Sequence, residues 1–173
     1  MAGTNRYVRK RRWWAGAVTL AVSTGLMAVN APTASAEVAI GTNLLRDKAT
    51  GRCLDSRGSL VYTLPCQSGN DHQTWTVIWV THTDYDIVRF QNKATGYCLS
   101  WSGYTTDLPT TWTCATGDAI TDHWTRWKAV GSNWDEVQIK DERDSADCVD
   151  SNAAGDAYLL GCNGGDYQKW HLG

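Results

Sequence analysis

The 173-residue chain carries 16 Lys and Arg against 18 Asp and Glu, unevenly placed: Arg6, Arg9, Lys10, Arg11 and Arg12 lie within the first twelve positions, and no acidic residue precedes Glu37. Residues 37–173 therefore hold 11 basic and 18 acidic side chains, a formal net charge of −7, which argues against a polyanion such as nucleic acid as partner, because such binding draws on clustered Lys and Arg. Those 137 residues suit one compact domain, and a chain that is 42% hydrophobic, with eight Trp after residue 36, does not have the composition of a disordered one.

Residues 1–36 read as a cleaved signal peptide. A basic stretch precedes an apolar run from Trp13 to Val29, and Ala34-Ser35-Ala36 supplies small residues for cleavage before Glu37. A membrane anchor is the competing reading. The run has only seventeen residues, is diluted by Gly16, Thr19, Ser23, Thr24 and Gly25, and ends at Asn30 and Pro32, which puts it at the lower limit for a span. Arg11-Arg12 hints at twin-arginine export, and Trp13-Trp14 after it supports that route poorly. The expected product, 37–173, is secreted and extracellular, without stable membrane insertion, in a compartment where disulfides persist.

A repeat dominates the remainder. Leu45-Arg46-Asp47-Lys48-Ala49-Thr50-Gly51-Arg52-Cys53-Leu54 matches Phe90-Gln91-Asn92-Lys93-Ala94-Thr95-Gly96-Tyr97-Cys98-Leu99, and Asp147-Cys148-Val149-Asp150-Ser151 echoes Arg52-Cys53-Leu54-Asp55-Ser56. Each unit has a second cysteine (Cys66, Cys114, Cys162) followed by a tryptophan (Trp75, Trp127, Trp170). Gln73-Thr74-Trp75 and Gln168-Lys169-Trp170 close two of the units as Gln-x-Trp; the middle one has Thr125-Arg126-Trp127. The units span roughly 40–81, 85–130 and 134–173.

Within each unit the text is strand-like: Val61–Leu64, Ile87–Phe90, Glu136–Ile139 and Ala157–Leu160 are rich in β-branched and aromatic residues, with turn text such as Ser68-Gly69-Asn70-Asp71 and Asn163-Gly164-Gly165-Asp166 between them. No stretch of 37–173 holds a helical apolar period. The expected fold is all-β, about twelve short strands with pseudo-threefold symmetry and the three repeat tryptophans in a shared core.

Six cysteines allow 15 pairings, and the repeat selects Cys53–Cys66, Cys98–Cys114 and Cys148–Cys162, each joining the two cysteines of one unit. A zinc site is the alternative. It lacks Cys-x-x-Cys, and none of His72, His82, His123 or His171 has ligand spacing to a cysteine pair, so no metal or other cofactor is expected.

Cys-Leu-Asp, Val-Tyr-Thr-Leu-Pro-Cys and Gln-x-Trp, Cys-framed and in triplicate, resemble the ricin B-type β-trefoil lectins across nearly all of residues 40–173. More narrowly, Leu54-Asp55-Ser56 with Val61–Pro65, and Val149-Asp150-Ser151-Asn152 with Asn163–Trp170, resemble the repeats of actinohivin-type lectins, which are specific for high-mannose glycans. The resemblance implies a β-trefoil with a shallow sugar pocket per repeat. A carboxylate accepts two neighbouring sugar hydroxyls, an aromatic face meets the C–H face of a pyranose, and an amide serves as donor and acceptor.

In the third repeat the resemblance assigns Asp150 as carboxylate, Tyr158 as aromatic wall and Asn163 as amide, with Leu160, Gly164 and Tyr167 lining the pocket and Gln168 orienting Asp150 from behind. In the first, Asp55, Tyr62, Leu64 and Gln73 match, while Gln67 replaces Asn and His72 replaces Tyr, an altered site. The middle repeat has Ser100, Thr110, Ala115 and Thr125 at the positions of Asp, Tyr, Asn and Gln, and reads as a structural copy. Trp101, Tyr104 and Trp112 beside it are candidates for packing or for stacking on another ligand.

The expected function is binding of glycans or glycoproteins, mannose-type by the narrower resemblance. Alternatives are galactoside specificity, or a trefoil that binds protein as an inhibitor. An enzyme is disfavoured: Asp55 and Asp150 belong to separate repeats, whereas glycosidases set two carboxyls across one bond, and no Gly-x-Ser-x-Gly, His-Glu-x-x-His or P-loop pattern occurs.

Overall fold

The computed structural model describes residues 37–103, 106–114, 117–143 and 146–173, all within the compact unit Ser35–Gly173. The leader reading of residues 1–36 lies outside the described residues. Twelve strands follow in chain order: β1 (Val38–Asp47), β2 (Arg52–Arg57), β3 (Leu60–Pro65), β4 (Thr74–His82), β5 (Asp86–Asn92), β6 (Cys98–Ser100), β7 (Thr110–Trp112), β8 (Trp127–Val130), β9 (Val137–Asp141), β10 (Asp147–Ser151), β11 (Ala157–Gly161) and β12 (Lys169–Leu172).

Six of them close on themselves. β1 pairs with β4, β4 with β5, β5 with β8, β8 with β9, β9 with β12, and β12 returns to β1, all antiparallel. Closure leaves the barrel without an edge strand. The other six form the hairpins β2–β3, β6–β7 and β10–β11, each fastened to the barrel at its first cysteine: Cys53 opposite Arg46, Cys98 opposite Gln91 and Cys148 opposite Lys140. This is the pseudo-threefold β-trefoil that the repeats predict.

Side chains alternate in the barrel strands because successive Cβ atoms point to opposite faces. In β8 and β9, Trp127, Ala129, Val137 and Ile139 point into the core while Lys128 and Gln138 are partly exposed. Trp75, Trp127 and Trp170 are fully buried, and each indole Nε1–H donates to a hairpin backbone carbonyl: Leu54 at 2.9 Å, Leu99 at 3.0 Å and Val149 at 3.0 Å. The tryptophan thus ties barrel to hairpin identically in each repeat and satisfies its only polar atom while doing so. The disulfides join Cys53–Cys66, Cys98–Cys114 and Cys148–Cys162, the pairing that the repeat selects.

The hairpins also lock one another. Thr63 N donates to Gly155 O at 2.7 Å, Thr111 Oγ1 to Gly58 O at 2.6 Å, and Leu159 N to Asp107 O at 2.5 Å, so one strand of each hairpin bonds the turn region of a neighbour. Gly155 has φ of 105°, and a Cβ there would lie 2.7 Å from Arg52 Nη2 and 2.9 Å from Thr63 O; this contact needs glycine.

Against the expectation of no helix, one short turn, α1 (Ala119–Asp122), lies in the middle repeat. It has no apolar period to announce it. Asp118 caps it, accepting from Ile120 N and Thr121 N, and these bonds hold the Asp118 carboxyl below its ordinary range. Among the described residues, no helix is long and apolar enough to cross a membrane.

Candidate functional site

The hairpins set the candidate side chains by register. Asp55 stands directly opposite Tyr62 across β2–β3, Asp150 opposite Tyr158 across β10–β11, and Ser100 opposite Thr110 across β6–β7. Both carboxylates are nearly enclosed, at 3% exposure. Each tyrosine hydroxyl is pushed above its ordinary pKa, first by burial, then by the charge of the facing aspartate and a hydrogen bond to it. Leu64 and Leu160 follow two residues after the tyrosines, opposite Cys53 and Cys148, and Leu160 is exposed.

The Gln of Gln-x-Trp performs one job in both outer repeats. Gln73 Oε1 accepts from Gln67 N at 2.8 Å while its Nε2 donates to Pro65 O at 3.1 Å; Gln168 Oε1 accepts from Asn163 N at 2.8 Å while its Nε2 donates to Gly161 O at 3.1 Å. A buried amide can be donor and acceptor at once, and here it brackets the backbone on either side of the second cysteine. These hydrogen bonds of Gln168 go to the loop that presents Asn163, and none of them reaches Asp150. Asn163 Oδ1 accepts from Gly165 N at 2.7 Å across Gly164, whose φ is 73°, so the turn itself orients the amide.

The two outer sites differ below the tyrosine. In the first repeat His72 Nδ1 donates to Ser56 O at 2.7 Å, which puts the neutral ring's proton on Nδ1 and leaves Nε2 as acceptor. Gln67 Oε1 accepts from Asn70 Nδ2 at 3.2 Å. In the third repeat Tyr158 OH takes the equivalent carbonyl, Ser151 O, at 3.2 Å, and Tyr167 stands exposed.

The middle repeat keeps the frame and loses this chemistry. Among the described residues Thr110 Oγ1 reaches only Ser100 O, at 3.4 Å, and Ala115 lies outside them. Thr125 Oγ1 donates to Cys114 O at 2.9 Å, one bond where the outer repeats have the Gln bracket. The space is taken by Arg89, 2% exposed, which sequence reasoning did not single out. Its Nε donates to Thr125 Oγ1 at 3.2 Å, Nη2 pairs with Asp122 at 2.6 Å and Nη1 with Glu37. Arg126, Glu142 and His123 extend the cluster. Burial pulls Arg89 below its ordinary pKa, and the charge of Asp122 opposes that. The available signal was a lone charge inside the apolar strand text Ile87-Val88-Arg89-Phe90, where all four positions are buried.

Trp101 is not a platform for a ligand. It is buried, its Nε1 donates to Thr106 O at 2.8 Å, and the Arg143 guanidinium lies 5.2 Å from its ring centroid. Tyr104 lies outside the described residues. Trp112 is 49% exposed, edge-on to Trp124 with centroids 6.2 Å apart. Among the described residues, no group of three or more His, Cys, Asp or Glu is placed to hold a metal ion.

No curated protein sequence matches the chain. Among solved structures it is similar to the Rhizoctonia solani agglutinin, at 22% identity with a TM-score of 0.61 over 78% of this chain and 94% of that one. It is similar to the designed threefold-symmetric protein ThreeFoil, at 20% identity and 0.59 over 76% and 96%. It also matches part of the GlcNAcα1-4Gal-releasing endo-β-galactosidase of Clostridium perfringens, at 14% identity and 0.61 over 77% of this chain and 32% of the enzyme. These likenesses show the fold. The model of the ricin-type β-trefoil lectin domain matches residues 41–170, and the chain belongs to that family of carbohydrate-binding modules.

Proposed function

We propose that the chain is a secreted lectin that binds mannose-type glycans at two unequal sites, the stronger on Asp150, Tyr158, Leu160, Asn163, Gly164 and Tyr167 and the weaker on Asp55, Tyr62, Leu64, Gln67 and His72. Gln168 and Gln73 serve as loop-setting residues. The observation that carries this reading is the Asp–Tyr pairing at equivalent register in the first and third hairpins, beside its absence in the second. A nearly enclosed carboxylate meets little competing water, so hydrogen bonds from sugar hydroxyls to Asp150 are charge-assisted and held in one direction. Tyr158 supplies a ring for the C–H face, and the amide NH₂ of Asn163, whose oxygen is engaged by Gly165, offers donors to a ring hydroxyl.

A glycan array of the oxidised 37–173 product tests this. Strong signals on α1,2-linked mannose support the mannose-type reading. Galactosides alone retain the family activity and overturn the specificity; a blank array overturns sugar binding and favours a protein-contact role. The export reading is tested separately by N-terminal sequencing of secreted material, with Glu37 expected first; intact chain confined to the membrane fraction would overturn it.

A further inference from the structure

Where a hairpin strand meets a neighbouring turn, the residue before the first cysteine differs between the first and middle repeats. In the first repeat this residue is Arg52, paired in register with Pro65. Its Nε and Nη2 donate to Thr63 Oγ1 at 3.2 Å and Thr63 O at 2.8 Å, and the guanidinium packs over Gly155 of the neighbouring turn. The equivalent residue of the middle repeat is Tyr97, which cannot make those bonds and is 48% exposed. The junction there is an open cleft of about 300 Å³ lined by Ser59, Tyr97, Thr111, Trp112 and Thr113.

Three properties define what fits. No lining residue is charged, so no ion in the ligand would find a partner. Two half-exposed aromatic residues border the cleft, and Trp112 is braced edge-on by Trp124, so little side-chain freedom is lost when it is covered. The rest of the lining is hydroxyl-bearing: Thr111 Oγ1 donates to Gly58 O and keeps acceptor capacity, and Ser59 and Thr113 bring two more hydroxyls. The volume is at the small end of the range for ligand pockets, about 300–1,000 Å³. Uncharged, compact, apolar on one face and hydroxylated at its edges describes a neutral pyranose.

We propose that this cleft is an additional binding site for an uncharged hexose unit of a glycan, with Tyr97 as the stacking residue and Trp112 as the second wall. It is separate from the Asp55 and Asp150 sites, although Trp112 stands opposite Cys98 as Leu64 and Leu160 stand opposite Cys53 and Cys148, and it gives the middle repeat a binding role without a carboxylate.

The test uses the full secreted chain carrying Asp55→Ala and Asp150→Ala, with soluble mannan, galactan and glucan as probes in affinity electrophoresis and intrinsic tryptophan fluorescence. Retained, weak binding to at least one of the three is expected, with a change in emission from Trp112. Adding Tyr97→Ala should weaken it roughly tenfold, the effect of losing one stacked ring. Tyr97→Arg, which copies the first repeat, should abolish it, with the thermal midpoint of both Tyr97 variants unchanged. If Tyr97→Arg lowers the midpoint, Tyr97→Ala decides. Absence of binding to all three polysaccharides, or binding indifferent to Tyr97, would overturn the proposal. If the two aspartates are not sugar ligands, their double variant binds as the parent does, and the Tyr97 variants still decide this site.

Discussion

The β10–β11 and β6–β7 hairpins hold one pairing with two contents: Asp150 faces Tyr158 in the third repeat, and Ser100 faces Thr110 in the middle one. Their frames are the same, with a fully buried tryptophan bonded to the carbonyl of the residue after the first cysteine and a disulfide across the unit. What differs is everything the frame does not require. Where the third repeat brackets its loop with a buried Gln168, the middle repeat has the shorter Thr125 and fills the space with Arg89 and its carboxylates. A buried position that loses an amide needs another hydrogen-bonding solution, because unsatisfied polar groups in the interior cost about 1–3 kcal/mol each. The repeat that lost its Asp–Tyr pair has thus become an ion-paired strut.

The largest expected effects test the sameness of the frame. Trp75→Ala, Trp127→Ala and Trp170→Ala should each destabilise by about 3–5 kcal/mol, the usual loss for a buried aromatic ring. Urea unfolding with the disulfides intact measures this. A mild Trp127 effect beside severe Trp75 and Trp170 effects would break the comparison, since it would mean that the middle repeat is not held as the others are.

Next comes the strut. Arg89→Ala should cost about 3 kcal/mol, the low end for breaking a buried ion pair, because Asp122 and Glu37 are less enclosed than the guanidinium. Thr125→Gln in the Arg89→Leu background should recover part of that loss by rebuilding the bracket, since Leu44 occupies the position equivalent to Arg89 in the first repeat. Chemical denaturation of the three variants reads both, and failure of the double change to recover anything would show that Arg89 is not standing in for the glutamine.

The sites themselves come third. Asp150→Ala should remove about 1.5–3 kcal/mol of monovalent sugar affinity, the range for a hydrogen bond to a charged group; Asp55→Ala should remove less, and Ser100→Ala almost nothing. On a densely glycosylated surface two sites act together, so loss of either aspartate should reduce retention far more than free-sugar affinity, avidity gains being about 10²–10⁴. Titration with free sugar beside surface plasmon resonance on an immobilised glycoprotein separates the two. Equal losses from Ser100→Ala and Asp150→Ala would sink the site assignment.

Much of this is readable in the chain because the trefoil repeats its landmarks. Cys53, Cys98 and Cys148, the second cysteines, and Trp75, Trp127 and Trp170 recur in order, and the strands around them carry alternating β-branched text. The Asp–Tyr register is also local, since each pair lies on one hairpin. What escapes depends on contacts between distant residues or on side chain-to-backbone bonds. Arg89 meets Thr125 across 36 positions, and Thr111 meets Gly58 across 53. Gln168 could be aligned with Gln73 from sequence, but not assigned to the carbonyl of Gly161 and the N–H of Asn163. Trp101 stayed open between packing and stacking because a Trp at the end of a strand carries no mark of the Arg143 guanidinium that lies over it.

The smallest expected effect separates two ion clusters by their exposure. Lys48 and Lys169 pair with Glu136 and Asp166 at the surface, joining the first and third repeats, whereas the Arg89 cluster of the middle repeat is buried around its guanidinium. Hydrogen bonds from Lys169 and then Lys48 hold the Glu136 carboxyl down at about 2, from an ordinary 4.5. A carboxyl depressed in the folded state contributes stability that is fully present above its unfolded pKa and is lost as pH falls through its folded one. Between pH 4.5 and about 2, then, the unfolded chain takes up a proton at Glu136 that the folded chain refuses, and this part of the stability declines. Solvent and salt screen a surface pair, so the contribution should be small and should shrink as salt is added. Thermal midpoints of the parent and Glu136→Gln, followed from neutral pH to about 2 at low and high salt, test it. The parent's acid limb should be steeper than the variant's at low salt and the two should converge at high salt, while the deficit of Arg89→Ala should hardly respond to salt. Parallel acid limbs for parent and Glu136→Gln at low salt would show that the surface cluster does not contribute as its geometry implies.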